Sequence, residues 1–158
     1  MTRLHIGVND VLEPNGTPTF DVAQRLEEKY SLFSTFANSE IQTIKNQLTQ
    51  SAAGAVSNMF AGKMTKNPYR EGCSNIVRDF QDFLDEEKIA GFGIPGVPTQ
   101  AALLGKTTRK KSASAKGQKV RSVKIGDKFM PAYGPRRPSF IDSGILQANL
   151  QVWVDDTE

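Results

Sequence analysis

The chain has 158 residues, 38% of them hydrophobic, and a formal net charge of +3 at pH 7. This length allows one domain with a modest core, and a membrane-spanning protein is excluded because no apolar run approaches about 18 residues. The single cysteine excludes an internal disulfide and is typical of a reducing compartment, and we expect no signal peptide because no basic stretch precedes an apolar one at the N-terminus.

The charge is distributed unevenly along the chain. Residues 1–98 carry nine Lys and Arg against twelve Asp and Glu, whereas residues 99–158 carry eleven against five. Such a difference is typical of a protein with two surfaces that bind different partners. An ordinary protein with one basic loop accounts for the same numbers equally well, so both interpretations stay open.

The first predicted element is a half-buried strand, because Leu4, Ile6 and Val8 alternate with polar or small residues. A loop rich in Pro, Asn and Gly follows over residues 9–19. Asp21 is a candidate N-cap for a helix after it. The helix is indicated by apolar residues at helical spacing: Val22, Leu26, Tyr30 and Phe33.

The longest periodic segment predicts a helix from Ser39 to Ala61, about 34 Å long at 1.5 Å per residue. Ser39 and Gln42 have the spacing of a capping box, and Gly62 marks a stop. The opposite face is polar but almost uncharged, so it either faces solvent or packs against another polar protein surface. The apolar stripe consists of Ile41, Ile44, Leu48, Ala52, Ala55 and Met59.

A third helix is predicted to begin near Ser74 as its cap and to end near Gly91. Its apolar stripe consists of Ile76, Val77, Phe80, Phe83 and Leu84. Four acidic residues lie at the end of this helix. We interpret them as a solvated surface and not as metal ligands, because no His or Cys accompanies them and they lack the spacing of a metal-binding loop. These residues are Asp82, Asp85, Glu86 and Glu87.

Residues 91–119 are predicted to form a flexible or partner-ordered loop or arm on a single domain that covers residues 1–158. The segment from Lys106 to Lys124 has eight Lys and Arg and no acidic residue, so it repels itself and buries little. A solvated loop and a contact with nucleic acid are equally good interpretations of this basic tract. Its candidate contact residues are Lys106, Arg109, Lys110, Lys111, Lys116, Lys119 and Arg121.

The C-terminal third predicts a hairpin and a final strand. Val123 and Ile125 precede a turn at Gly126, and residues 129–133 return as the second strand. The final strand is indicated by strict alternation of apolar and polar residues up to Val154, with a short helical turn as an alternative over residues 143–148. Trp153 falls on the polar face of that strand, where it is either an anchor between subunits or packed under the chain's own loops.

The sequence contains partial matches to motifs of catalytic and cofactor sites, but they lack the context that these sites require. Gly91, Gly93 and Gly96 have the spacing of a dinucleotide fingerprint, but an amphipathic helix precedes them where a strand is required. His5 is the single histidine, which leaves little for a zinc site or a Ser-His-Asp relay. We therefore predict no catalytic residue, no cofactor and no metal, and we expect a protein that is not an enzyme.

Residues 135–154 read PRRPSFIDSGILQANLQVWV. This segment resembles the closing segment of small tailed-bacteriophage proteins of the neck and tail-completion group. In that group an Arg-Pro-Phe-type start precedes Asp-Thr/Ser-Gly-x-Leu-x-x-Ser/Ala and a strand. The matching positions are Arg137, Pro138, Phe140, Asp142, Ser143, Gly144, Leu146 and Ala148. The resemblance covers 20 of 158 residues, and the order of long helices, basic loop and C-terminal strand is similar as well.

The resemblance implies an α+β fold. Long N-terminal helices would pack on a small, mostly antiparallel sheet with an extended basic loop, and the N-terminal and C-terminal strands would be neighbours. It also implies a structural virion protein, a head–tail connector whose ring of identical copies joins the portal-bearing head to the tail. Candidate residues of the interface between subunits are Arg136, Arg137, Phe140 and Trp153.

The partners implied by the resemblance are other copies of the chain, portal or adaptor proteins, tail proteins and packaged DNA in the ring lumen. No membrane and no cofactor is implied. The basic tract would contact DNA or the portal, and the protein would be made in the cytoplasm of the bacterial host and end in the virion. The alternative function is that of a nucleic-acid-binding accessory protein without sequence preference.

Replacing Arg109, Lys110 and Lys111 with Ala tests the basic tract. If these side chains contact phosphates, retention on immobilised DNA falls, and the slope of log binding against log salt decreases by up to about three. The matched control removes the same charge from the N-terminal half through Arg25→Ala, Lys29→Ala and Lys45→Ala. Equal retention of both variants and the unmodified chain would remove the tract from nucleic-acid binding.

Overall fold

The computed structural model describes residues 2–13, 15–106 and 122–156. The described residues form an α+β fold, as predicted, and they contain two small antiparallel sheets. In chain order the elements are β1 (Thr2–Val8), α1 (Thr19–Tyr30), α2 (Leu32–Ser39), α3 (Ile41–Phe60), α4 (Arg70–Asp85), a 3-10 helix (Lys88–Phe92), α5 (Gln100–Leu103), β2 (Ser122–Ile125), β3 (Lys128–Pro131), α6 (Ile145–Ala148) and β4 (Leu150–Asp156).

The two terminal strands pair with each other. β1 and β4 are antiparallel, with Ile6 opposite Val152 and Val8 opposite Leu150. Because side chains alternate between the faces of a strand, the apolar residues of both strands lie on one face. That face packs on the hydrophobic core. The pairing agrees with the expectation that the first and last strands are neighbours.

The core is centred on α4. Phe80 is fully buried, stacks on Phe36 with ring centroids 4.3 Å apart, and meets the edge of Phe33 at 5.2 Å. Phe83 packs beside this pair. The predicted apolar stripe of this helix is therefore the surface on which α2, α3 and the terminal strands meet, and the buried residues are Leu32, Phe36, Ile44, Cys73, Ile76, Phe80, Phe83, Leu84, Ile89, Leu150 and Val152.

The N-terminal helical region breaks at Ser31 and again at Glu40. Ser31 has a φ of 48°, which ends α1 and turns the chain into α2. The carboxylate of Glu27 accepts hydrogen bonds from the backbone N–H of Phe33 at 2.8 Å and of Ser34 at 3.3 Å. It thus satisfies donors that the start of α2 would otherwise leave without partners.

The predicted cap of the long helix is wrong. Ser39 is the last residue of α2, and its hydroxyl donates to the carbonyl oxygen of Phe36 at 3.1 Å. A residue already in helical geometry does not take the extended conformation of an N-cap. Instead, α3 begins at Ile41 after Glu40, whose carboxylate accepts from the hydroxyl of Thr43 at 3.1 Å. The helix ends at Phe60 before Gly62, close to the predicted stop.

α3 and α4 approach closely through small and polar residues. The carbonyl oxygen of Pro68 accepts from the hydroxyl of Ser51 at 2.8 Å, and that hydroxyl accepts from the N–H of Gly72 at 3.1 Å. Gln47 donates to the carboxylate of Asp79 at 2.6 Å. Part of the polar face predicted for α3 therefore packs against a polar surface and does not face solvent. That surface belongs to α4 of the same chain.

Both predicted ends of the third helix are shifted. α4 begins at Arg70, and Ser74 lies inside it with its hydroxyl donating to the carbonyl oxygen of Arg70 at 3.0 Å. The helix ends at Asp85, because Glu87 adopts a left-handed conformation with a φ of 53°. A 3-10 helix then occupies the region that the sequence assigned to the end of α4.

The predicted hairpin is confirmed, with β2 and β3 antiparallel around a turn at Gly126. The final strand begins at Leu150, after the short helical turn of α6. Of the predicted arm over residues 91–119, residues 91–106 are described, and they contain α5 and the fully buried side chain of Leu104. Residues 107–119 lie outside the described residues, so the arm stays a prediction.

We predict opposite effects for two Gly-to-Ala substitutions in the helix pair. A Cβ on Gly72 would lie 2.9 Å from the carbonyl oxygen of Gln47, so Gly72→Ala forces the helices apart and lowers the free energy of unfolding by about 1–3 kcal/mol. Gly54→Ala is the control, because its Cβ meets nothing within 4 Å. It should raise the free energy by about 0.5–1 kcal/mol through reduced chain entropy. Urea unfolding measures both, and equal effects would contradict the close contact.

Candidate assembly interface

The arginine-rich segment, residues 134–142, is bound to the body of the same chain. The backbone N–H of Tyr133, just before it, donates to the carbonyl oxygen of Leu104 at 2.8 Å. The N–H of Arg137 donates to the carbonyl oxygen of Ala102 at 3.2 Å. These bonds attach the segment to α5 and give it a defined position on the surface.

The carboxylate of Glu87 holds the segment from the other side. Its side chain is 13% exposed and forms an ion pair with Arg136. It also accepts from the hydroxyl of Ser139 at 2.6 Å and from the N–H of the same residue at 3.1 Å. Hydrogen bonds to a charged group contribute about 1.5–3 kcal/mol each.

The interpretation of the acidic cluster is thus wrong for Glu87. Asp82, Asp85 and Glu86 are exposed, as a solvated helix end requires. Glu87 differs because its partners lie 49 and 52 positions later in the chain. No local sequence pattern distinguishes it from its acidic neighbours.

The two candidate arginines have different surroundings. Arg136 keeps 58% of its side chain exposed beside Glu87. The guanidinium of Arg137 donates to the carbonyl oxygen of Lys106 at 2.7 and 3.0 Å and to that of Ile141, and lies 3.5 Å from the carboxylate of Asp142. Arg137 therefore connects the segment to the end of α5, whereas Arg136 presents its charge at the surface.

Phe140 is half-buried and covers the end of α1. Its ring lies 4.8 Å from that of Tyr30, and its backbone has a φ of 70°. Gly144 has a φ of 77° immediately before α6, a conformation that glycine adopts without the strain of a side chain. No atom lies within 4 Å of a Cβ built on Gly144, so backbone conformation rather than crowding favours glycine there.

Trp153 lies on the outer face of the terminal sheet, opposite His5. The two rings are stacked, with centroids 5.2 Å apart and 9° between their planes. The carboxylate of Asp155 accepts from the indole N–H at 3.3 Å and lies 3.4 Å from the imidazole. The side chain thus rests on its own strand partner and still exposes part of its surface.

A shallow groove of about 250 Å³ separates the start of α4 from β4. Arg70, Cys73 and Trp153 are among its lining residues. Burial raises the pKa of the Cys73 thiol, which favours the protonated form over the nucleophilic thiolate. In the part of the chain that the structure describes, no group of three or more His, Cys, Asp and Glu is placed to hold a metal ion.

Of the predicted basic contacts, only Lys106 is among the described residues. It is exposed at the end of α5, with its Nζ 5.1 Å from the centre of the Tyr133 ring. Lys124 and Lys128 are exposed on the hairpin that follows the tract. The remaining candidates lie outside the described residues: Arg109, Lys110, Lys111, Lys116, Lys119 and Arg121.

Sequence reasoning missed an exposed apolar surface at the end of α3, which we name the apolar tip. Phe60 is 90% exposed and Met64 is 95% exposed. The helix extends past the start of α4, so nothing among the described residues covers it. The apolar tip consists of Val56, Met59, Phe60 and Met64. Its signal was the presence of Val56, Phe60 and Met64 outside the predicted apolar stripe. Met59 belongs to that stripe and is nevertheless exposed.

A second exposed apolar surface, the N-terminal patch, is formed by Val11, Leu12 and Phe20. Backbone contacts bring these residues together: the N–H of Thr19 donates to the carbonyl oxygen of Val11 at 2.8 Å, and Leu12 pairs with Pro18. The side chain of Thr19 is buried between them and donates to the carbonyl oxygen of Asn9 at 2.7 Å. The patch therefore has a fixed shape.

The terminal sheet also has open edges. Within the described residues β1 pairs with β4 alone, so each strand keeps one edge without a partner strand. Unpaired strand edges carry free N–H and C=O groups that another chain can pair with. These strand edges and the two exposed apolar surfaces are therefore places where another chain could bind.

Comparison of the chain with protein families, with curated proteins and with solved structures yields no match. Among the described helices none is both long and apolar enough to cross a membrane. The candidate interface is therefore inferred from the exposure, contacts and charges of this chain's own residues.

We predict that Glu87→Ala loosens the arginine-rich segment. The substitution removes the partner of Arg136 and of Ser139, and we expect the free energy of unfolding to fall by about 2–4 kcal/mol. Glu86→Ala is the matched control, because Glu86 is exposed and pairs only with Lys88 among the described residues. Its cost should stay below about 1 kcal/mol. Thermal unfolding compares the two, and similar losses would contradict a special role for Glu87.

Proposed function

We propose that this chain is a structural virion protein of a tailed bacteriophage, a ring-forming neck or tail-completion subunit that joins the portal-bearing head to the tail. The assignment to a phage is supported by the resemblance of residues 135–154 to the closing segment of such proteins. The α+β arrangement, with long helices first and paired terminal strands, is compatible with it.

The observation that carries an assembly role is the exposure of the apolar tip. Burying a side chain such as Phe60 or Met64 contributes about 1.5–3 kcal/mol relative to leaving it in water. A chain that functions alone gains nothing from leaving Phe60 90% and Met64 95% exposed at one helix end. Contiguous exposed apolar residues of this kind mark surfaces that bind another protein.

The interior contacts of the arginine-rich segment favour the same role. Glu87, Arg137 and α5 hold the segment in place before any partner binds. A surface that is ordered in the free subunit loses less entropy on association. In this proposal the segment presents the charge of Arg136 and part of the Phe140 ring to a neighbouring subunit, and Trp153 contacts one on the outer face of the sheet.

The partners in this proposal are further copies of the chain, the portal or adaptor ring and tail proteins. The basic tract would lie towards the portal or the DNA path, and the protein would be found in the virion after synthesis in the host cytoplasm. A second candidate function is nucleic-acid binding without sequence preference. It is favoured by the exposed Lys106, Lys124 and Lys128 at the two ends of the tract.

We predict that the purified chain forms a closed assembly of several copies, alone or on addition of the portal. Native mass spectrometry should detect a discrete multiple of the chain mass, and negative-stain images should show rings. A chain that stays monomeric at high concentration and joins neither heads nor tails would contradict the proposal. DNA binding by that monomer would then support the second candidate.

A further inference from the structure

We infer that copies of the chain associate head to tail, with the apolar tip of one copy bound to the N-terminal patch of the next. The inference rests on the ring-forming role proposed above and names the contact that would build the ring. It follows from the position of the two surfaces, from the charges that surround them and from the difference between them.

The two surfaces lie at different positions along α4. At one end, Ser51 of α3 contacts Gly72 near the start of α4, so the antiparallel α3 continues past that point to Phe60. The remaining nine residues extend about 13 Å beyond the contact at 1.5 Å per residue. The apolar tip is therefore well beyond the start of α4.

The chain that leads into the N-terminal patch lies further along α4, in the region of Gln81. Gln81 exchanges hydrogen bonds with the backbone and side chain of Gln147 in α6, at 3.1 and 3.2 Å. The backbone N–H of Asn9 donates to the carbonyl oxygen of Asn149, just after α6, at 2.8 Å. Gln81 lies nine residues, or about 14 Å, along α4 from Gly72, and the tip extends away from it beyond Gly72, so the tip of one copy lies far from the same copy's patch.

The charges around the two surfaces are complementary. From Val56 to Lys66 the chain carries the exposed Lys63 and Lys66 and no acidic residue. From residue 9 to residue 21 it carries three acidic residues and no basic one: Asp10, Glu13 and Asp21. An apolar contact with opposite charges at its rim gains orientation and selectivity from those charges.

The same charges oppose contact between identical surfaces. Two apolar tips in contact would bring four basic side chains together, two from each copy, and two N-terminal patches would bring six acidic ones together. Like charges at an interface disfavour that pairing. A contact between two different surfaces is heterologous, and repeated contacts of this kind close into a ring when the rotation between copies allows it.

The side chains suit the contact. Met59 and Met64 are flexible and adapt to an irregular surface, while Phe60 supplies a large rigid ring. The receiving Leu12 and Phe20 are held by the backbone pairing of residues 11–12 with residues 18–19. The flexible surface thus meets a fixed one.

Cysteine cross-linking tests the contact directly. Phe60→Cys and Leu12→Cys are made in separate full-length chains, and the native Cys73 is buried, so the unmodified chain is the control. We expect a disulfide-linked dimer under mild oxidation when the two variants are mixed, and none from either variant alone. A dimer from Phe60→Cys alone would show a two-fold contact and overturn the inference.

A second experiment removes the apolar tip. Phe60→Ser with Met64→Ser should reduce the assembled fraction at least tenfold in native mass spectrometry, with thermal unfolding unchanged because both residues are exposed. Phe129→Ser, an exposed phenylalanine on the hairpin, is the matched control and should assemble normally.

The two experiments separate the inference from the proposed function. Rings that persist without the tip, and without a cross-link in the mixture, would overturn the head-to-tail contact and leave the ring-forming role intact. A chain that forms neither cross-link nor ring, with or without the portal, would overturn both.

Discussion

The packing of α4 between the other helices and the terminal strands is the interaction on which the rest of the structure depends. Phe80 contacts Phe33 and Phe36 on α2, while Val152 and Leu150 of β4 belong to the same core. The terminal strands form only a two-stranded sheet, which is marginal in water unless it packs on something. α4 therefore stabilises the terminal sheet, and the sheet in turn covers α4. Loss of either would expose the aromatic cluster around Phe80.

This core uses only part of each long element. α3 is buried around Ile44 and Ser51, but its last turns continue past the start of α4 into solvent. The loop before α1 is also well formed, and together with the start of α1 it exposes Val11, Leu12 and Phe20. The apolar side chains at these two places gain the free energy of burial only if another molecule covers them. In the assembly that we propose, the same distribution of apolar residues would determine both the fold and the association, and the charged rims would direct which surfaces meet.

The sequence predicted well where burial follows a local period. The stripe around Phe80 and the alternation of Leu4, Ile6 and Val8 repeat with the spacing of their elements, so type and buried face could be read without the structure. Element ends were predicted poorly, because a serine caps a helix only if its own backbone is in the extended conformation. Ser39 and Ser74 are themselves in helical conformation, as residues of α2 and α4. Most residues of the proposed DNA contact lie outside the described residues, so that contact stays a prediction.

The sequence by itself determined the kinds of elements, their order and the uneven charge, because these depend on composition and on spacing over a few residues. Only the tertiary structure decided which residues of those elements are covered. Glu87 is partly buried because its partners Arg136 and Ser139, about fifty positions later in the chain, lie against it. Phe60 is exposed because α4 begins beside Ser51 and does not extend along the last turns of α3. Burial is a property of contacts between distant segments, so neither outcome has a local signal.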